Sequence, residues 1–161
     1  ASYLAAGNGL VFAEYTGDDP VRLPEYPYYV YDRVAAFSVA DGSKVWETLV
    51  DADLKYGQLA LSGDALYLLR YDWQNPGSSL YVFDPATGEL LNERSNGPKY
   101  THLVGANQVI YLCGDALQAL DARDLRQLWS AQIGGCWDIS VARGKLYVLQ
   151  PGPTGLVAYG P

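Results

Sequence analysis

The sequence repeats itself, and this repeat constrains the fold more than any other feature. Three segments follow one pattern of strand, polar turn and strand: 36–46 (AFSVADGSKVW), 82–92 (VFDPATGELLN) and 119–129 (ALDARDLRQLW). The second begins 46 residues after the first, and the third begins 37 residues after the second. Repeats of this length are typical of arrays in which each copy forms one small structural unit.

A second pattern recurs in register with the first. Apolar residues flank a pair of Gly, Asn, Asp or Ser, which accept the positive φ of a tight β-turn. Each copy ends in an aromatic residue, at Phe12, Tyr67, Tyr111 and Tyr147. No segment has helical periodicity with caps, so we expect essentially no long helix. The four copies are 4–12 (LAAGNGLVF), 59–67 (LALSGDALY), 103–111 (LVGANQVIY) and 139–147 (ISVARGKLY).

Each repeat combines the two patterns into four strands in meander order. A four-stranded meander cannot bury both of its faces alone, so neighbouring units must stack around an axis. The sequence predicts an all-β fold of β-propeller blades, each a four-stranded antiparallel meander. The last unit stops after 156–159 (LVAY), so we expect about three complete blades and a three-stranded fourth, in a single domain. The units are approximately 1–53, 54–97, 98–134 and 135–161.

Composition excludes several classes of protein. With 49% hydrophobic and 18% charged residues, the chain has enough apolar surface to form a core. Its formal net charge of -7 is spread along the chain and repels phosphate, so nucleic acid is not an expected partner. We expect no membrane span, because no apolar run approaches ~20 residues. Because the sequence contains no Met, we expect that upstream residues have been removed.

The turn pattern resembles the A-x-D-x-x-T-G-x-x-x-W motif of quinoprotein-type (PQQ-like) β-propellers. In that family the Trp packs between blades and the polar turn ties one blade to the next. Several positions depart from the motif. Ser38 and Asp41 stand in for the Asp and Thr of the first copy, Asn92 stands at the Trp position of the second, and Asp124 and Leu125 depart from it in the third. The docking residues that the resemblance implies are Trp46, Asp84, Thr87, Gly88, Asp121 and Trp129.

Family members commonly have seven or eight blades, more than this chain provides. Two alternatives follow. Either the chain is part of a larger propeller, completed by a protein partner or a second chain, or it is a small four-bladed ring. A homo-oligomer is one form of the first alternative. We favour the first alternative, a part of a larger propeller, because an open array exposes apolar faces and unpaired strand edges.

The innermost strands predict a ligand site near the axis. Counting nine residues back from the aromatic residue that ends each copy of the second pattern gives equivalent positions in the four units. Polar residues occupy most of them, and aromatic residues adjoin them. They would suit a sugar, a peptide or a small polar molecule. The alternative is that they are hydrated residues at a channel mouth. The proposed axial residues are Tyr56, Gln58, Tyr100, His102, Trp137 and Asp138.

The connection 16–32 (TGDDPVRLPEYPYYVYD) is the longest departure from the repeat. Tyrosine offers a large contact area for little lost entropy, so such a segment suits a protein partner. The alternative is a loop that only covers the outside of the first unit. The smaller insertion 72–78 lies at the equivalent connection of the second unit. The proposed contact residues are Tyr26, Tyr28, Tyr29, Tyr31 and Trp73.

The two cysteines fall in adjacent units, at the end of one strand and just before another. A disulfide between Cys113 and Cys136 is geometrically possible and would imply an oxidising compartment. The alternative is two buried thiols. No catalytic motif is present, and Asp51 and Asp53 lack the companions of a calcium loop. We predict no catalytic residues, no metal site and no cofactor.

These observations favour a non-catalytic binding or scaffolding domain outside the cytoplasm, in the periplasm, at the cell surface or secreted. It would bind a protein or a small polar ligand. Two alternatives remain: a fragment of a PQQ-dependent dehydrogenase, which the resemblance implies, and a structural surface or assembly subunit.

Overall fold

A computed structural model describes residues 4–18, 30–50, 56–71, 77–153 and 155–160. These residues form fifteen strands in four separate sheets, and none of them is helical. Nothing in these ranges forms a helix long and apolar enough to cross a membrane.

Sheet 1 contains β1 (Leu4–Gly7), β2 (Leu10–Asp18), β3 (Val30–Ser38) and β4 (Lys44–Val50). Sheet 2 contains β5 (Tyr56–Ser62), β6 (Ala65–Tyr71), β7 (Ser78–Phe83) and β8 (Leu90–Gly97). Sheet 3 contains β9 (Tyr100–Ala106), β10 (Val109–Gly114), β11 (Ala116–Asp121) and β12 (Gln127–Gln132). Sheet 4 contains β13 (Asp138–Ala142), β14 (Lys145–Leu149) and β15 (Leu156–Tyr159).

Every sheet is an antiparallel meander in which strands pair in chain order. The first strand of each sheet contacts the first strand of the next, so β1, β5, β9 and β13 form a common hub. The last strands lie at the opposite edges. The predictions of an all-β fold and of propeller blades are confirmed.

Tight turns join the first two strands of each sheet, as the hairpin pattern predicts. Asn8, Asn107 and Arg143 have φ between 51° and 55°, and Gly63 has φ of 60°. Asn and Gly accept this conformation at low cost, which is why they recur at the tips.

Three apolar cores lie between successive sheets. The first joins Phe12 and Val34 of sheet 1 to Leu66 of sheet 2. The second joins Tyr67 and Leu69 of sheet 2 to sheet 3, and the third joins sheets 3 and 4. Strand β6 is buried on both faces because alternate side chains point to opposite neighbours. Stacking in series therefore gives the middle sheets two buried faces.

Candidate binding surfaces between the sheets and at their outer edges

The turn between the last two strands has the same geometry in all three four-stranded sheets. Residues Gly42, Gly88 and Leu125 donate their N–H groups to the carbonyls of Ser38, Asp84 and Asp121, at 2.8–2.9 Å. Their φ values are 73°, 75° and 57°, so this position requires the left-handed conformation. Polar side chains brace the turn from within. The Asp84 carboxylate accepts from the N–H groups of Ala86 and Thr87, and the Asp121 carboxylate accepts from Arg123.

Trp46 packs against the turn of the next sheet. Its indole Nε1 donates to the Pro85 carbonyl at 2.9 Å, and the Thr48 hydroxyl donates to the Gly88 carbonyl at 2.8 Å. A Cβ at position 88 would lie 2.5 Å from the Trp46 ring. This turn therefore needs glycine for its backbone conformation and for the approach of the indole.

Asn92 occupies the position of Trp46 in sheet 2 and does not dock in the same way. It is exposed, and its side-chain oxygen accepts from the N–H of Glu93 at 2.8 Å. Tyr67 takes over the hydrogen bond instead, because its hydroxyl donates to the Ala122 carbonyl of sheet 3. Burial, with a smaller contribution from Asp121, raises the pKa of Tyr67 to about 12, so the donor stays protonated.

A cleft lies between sheets 2 and 3 beside Asn92. It has a volume of about 390 Å³. Ser62, Tyr67 and Leu91 line it from sheet 2, and Gln108 and Leu125 line it from sheet 3. We call it the Asn92 cleft.

Trp129 repeats the ring contact of Trp46 on sheet 3. Its ring centroid lies 6.2 Å from that of Tyr111, close to the 6.1 Å between Phe12 and Trp46. A second cleft, of about 370 Å³, lies beside Trp129 against Tyr159 of sheet 4. Trp129 is 38% exposed there.

The three polar residues of the proposed axial set lie one on each of three neighbouring first strands of the hub. Gln58 accepts from the N–H of Leu103 at 2.7 Å and so ties β5 to β9. His102 lies 2.9 Å from the Thr101 hydroxyl, and Asp138 opens β13. Burial lowers the pKa of His102, and the Asp138 carboxylate opposes that shift.

The three aromatic residues of the axial set lie in different surroundings. Tyr100 is 5% exposed in the core between sheets 2 and 3, where its hydroxyl donates to Gln118, so it contributes packing rather than open surface. Tyr56 stacks on Tyr71 and is 39% exposed. Trp137 is 64% exposed, and its backbone N–H pairs with Leu149.

The tyrosine-rich connection is largely outside the described residues. Tyr26, Tyr28, Tyr29 and Trp73 fall in the undescribed ranges, as do Asp51 and Asp53. Only the backbone of Tyr31 is described, and it pairs with Gly17 in sheet 1. The partner-contact role of these residues stays a prediction.

A disulfide joins Cys113 of sheet 3 to Cys136, just before sheet 4, with a Cα–Cα distance of 5.8 Å. Cys113 is fully buried in the core between the two sheets. The bond therefore links neighbouring sheets next to their shared core.

The sequence patterns did not reveal a buried ionic cluster between sheets 1 and 2. Arg70 is fully buried, forms an ion pair with Asp32, and lies with its Nε 3.6 Å from the Glu14 carboxylate. Burial raises the pKa of Glu14 to about 7, against the opposing effect of Arg70. The available signal was Glu14, a charged residue two positions after the core aromatic Phe12, since alternate residues of a strand share a face.

The sequence patterns also did not reveal a row of exposed apolar residues on the outer strands. Val45, Leu91 and Leu128 occupy equivalent positions on β4, β8 and β12 and are 50%, 54% and 40% exposed. We call them the outer apolar row. Each directly precedes the Trp position of the repeat, so the repeat register could have found them.

Metal-ligating side chains do not cluster in the described ranges, where no group of three His, Cys, Asp or Glu could hold an ion. The sheet order and the hub of first strands define stacked β-propeller blades, and the packing of Trp46 on the turn of the next sheet is the contact that the PQQ-like repeat implies. The family model described as outer membrane protein assembly factor BamB matches residues 31–158. The chain belongs to this family.

Solved structures share the fold at low sequence identity. BamB from Moraxella catarrhalis matches with a TM-score of 0.64 and 17% identity, over 96% of this chain and 41% of that one. The computationally designed Ika8 protein matches with a TM-score of 0.65 and 10% identity, over 99% and 45%. The Pan2 WD40 domain from Neurospora crassa matches with a TM-score of 0.60 and 12% identity, over 92% and 45%. The chain thus spans less than half the length of these proteins. No curated protein matches the chain.

Proposed function

We propose that this propeller is a non-catalytic protein-binding domain that works outside the cytoplasm as a scaffold in an assembly. The outer apolar row carries the proposal. Large apolar side chains at equivalent exposed positions on three edge strands are what a protein partner covers. An edge strand also offers unpaired backbone groups to an added strand.

Two further observations support the location and the type of role. Disulfides persist in oxidising compartments outside the cytoplasm, and Cys113 and Cys136 form one. The family model is described as outer membrane protein assembly factor BamB, and a role in assembly agrees with the proposed scaffold. For this chain the location and the partner are part of the proposal.

The experiment is capture of partners from an envelope extract by the immobilised chain. We expect a defined protein to bind the wild type and to be lost with V45T/L91T/L128T, which removes apolar contact while placing a β-branched residue, suited to a strand, at each position. L4T/L156T serves as the control, because Leu4 and Leu156 are also exposed but lie on β1 and β15. Equal capture by all three forms, or none by the wild type, would exclude the outer apolar row as the binding surface.

A further inference from the structure

We propose that the Asn92 cleft binds the indole of a tryptophan that a protein partner supplies. This inference rests on the proposed function, because it names a site for the same kind of partner. Leu91 belongs both to the outer apolar row and to the wall of the cleft. A polypeptide lying along β8 would therefore reach the cleft with a side chain.

The shape of the site has a precedent in the same molecule. Between sheets 1 and 2, the Trp46 ring lies against Phe12 and against the turn around Gly88. Between sheets 2 and 3, Tyr67 replaces Phe12 and Leu125 replaces Gly88, while the shorter Asn92 lines the cleft and accepts from the N–H of Glu93. The second interface therefore has an equivalent aromatic wall and no indole, and because Leu125 carries a side chain where Gly88 has none, an incoming ring would lie beside Leu125 rather than over the turn.

The size of the cleft suits such an occupant. Its volume of about 390 Å³ is within the ~300–1,000 Å³ of ordinary ligand sites. Ala65, Val82 and Leu125 supply apolar contacts. An aliphatic side chain would contact the same walls over a smaller area.

The polar groups of the cleft favour an indole over a plain hydrocarbon. Ser62 is 6% exposed, lines the cleft, and its hydroxyl oxygen has no hydrogen-bond partner among the described residues. A buried hydroxyl without a partner is unfavourable, and the indole N–H is a donor that needs an acceptor. The Ala122 carbonyl, equivalent to the acceptor of Trp46, already accepts from Tyr67. Because the Ser62 hydroxyl has no partner whereas the Ala122 carbonyl has one, Ser62 is the acceptor that we assign to the incoming indole.

The test is a titration with N-acetyl-tryptophanamide, followed by backbone amide NMR shifts of the intact chain. We expect millimolar binding, as suits a single side chain, with the shifts concentrated at Gly63, Asp64 and Gln108. N-acetyl-leucinamide should bind at least 5-fold more weakly. Shifts elsewhere, equal binding of the two probes, or no shift would overturn the proposal. So would cleft shifts that depend on protein concentration without a probe, since these indicate a second copy as the occupant.

Two variants separate this site from a general effect on folding. Asn92→Trp places a ring in the wall of the cleft and blocks entry, so we expect no probe shifts at the cleft. Ser62→Ala should weaken the tryptophan probe by 3-fold or more and leave the leucine probe unchanged, without lowering the midpoint. The control Ser140→Ala, at an exposed hydroxyl on β13, should bind both probes as the wild type does. If Ser62→Ala binds the tryptophan probe as tightly as the wild type, the assigned acceptor is wrong.

Partner capture distinguishes failure of this inference from failure of the proposed function. If Asn92→Trp captures the partner as well as the wild type does and V45T/L91T/L128T loses it, the cleft is not the site, whereas the outer apolar row still is. If V45T/L91T/L128T also retains the partner, the proposed binding surface fails as well.

Discussion

At the scale of single residues, one turn position shows how local conformation and packing combine. Gly42, Gly88 and Leu125 adopt the same left-handed backbone, but their surroundings differ. Gly42 has open space around it, Gly88 lies against Trp46, and Leu125 keeps a side chain at the cost of strain. The sequence pattern predicted the turn and its glycines, because positive φ selects Gly. The close approach of Trp46 depends on the neighbouring sheet, about which a turn motif carries no information.

Substituting the two glycines by alanine separates these effects. Gly42→Ala should lower the free energy of unfolding by about 1–2 kcal/mol, the cost of the left-handed conformation. Gly88→Ala should cost clearly more, because its Cβ also meets the Trp46 ring. Urea unfolding of both variants measures this difference. Equal losses would show that the indole does not press on the turn.

Glu14 predicts a particular dependence of stability on pH. Its pKa is about 7 in the folded chain and 4.5 as a free side chain, because burial disfavours the charged form. Between these values the unfolded state releases the proton first, so the free energy of unfolding falls as pH rises from about 4.5 to 7. The loss from this group is at most about 3 kcal/mol. Glu14→Gln should flatten this slope in urea titrations at pH 5 and pH 8, and an unchanged slope would contradict the assignment.

At the scale of strands and sheets, the hairpin and turn patterns predicted which segments pair. They did so because the two-residue period and the turn residues are local properties. The prediction of the axial site was less complete, because these local properties carry no information about burial by a neighbouring sheet. Gln58, His102 and Asp138 lie along the hub, but Tyr100 is covered by sheet 2 while its equivalent Tyr56 is partly exposed. Position in the repeat sets which face a residue occupies, and the neighbouring sheet sets how deeply it is buried.

A disulfide joins sheets 3 and 4. Cys113 and Cys136 are 23 residues apart, so removing the disulfide should lower the free energy of unfolding by about 3 kcal/mol. The C113S/C136S variant and the reduced wild type should unfold at similar denaturant concentrations, both below that of the oxidised wild type. Tryptophan fluorescence near Trp137 reports the transition. A reducing agent that leaves the wild-type midpoint unchanged would contradict this prediction.

At the scale of the whole molecule, stability comes from sheets that bury their faces on one another in series. The repeat predicted this stacking, because a lone meander cannot form a core. It could not predict the Glu14–Arg70 contact, because charges far apart in sequence meet only when two sheets dock. The Asn92 cleft has the same origin. The sequence showed a missing tryptophan, but only the docked sheets show that Tyr67 restores the hydrogen bond and not the volume.

The most direct test of docking between sheets is a double-mutant cycle of Gly88→Ala and Trp46→Ala, measured by urea unfolding. If the indole lies on the turn of the next sheet, Gly88→Ala in the Trp46→Ala background should cost only what Gly42→Ala costs, about 1–2 kcal/mol. The excess loss seen in the wild-type background should disappear. An identical cost of Gly88→Ala in both backgrounds would mean that the two residues do not meet, and that the sheets do not dock as described.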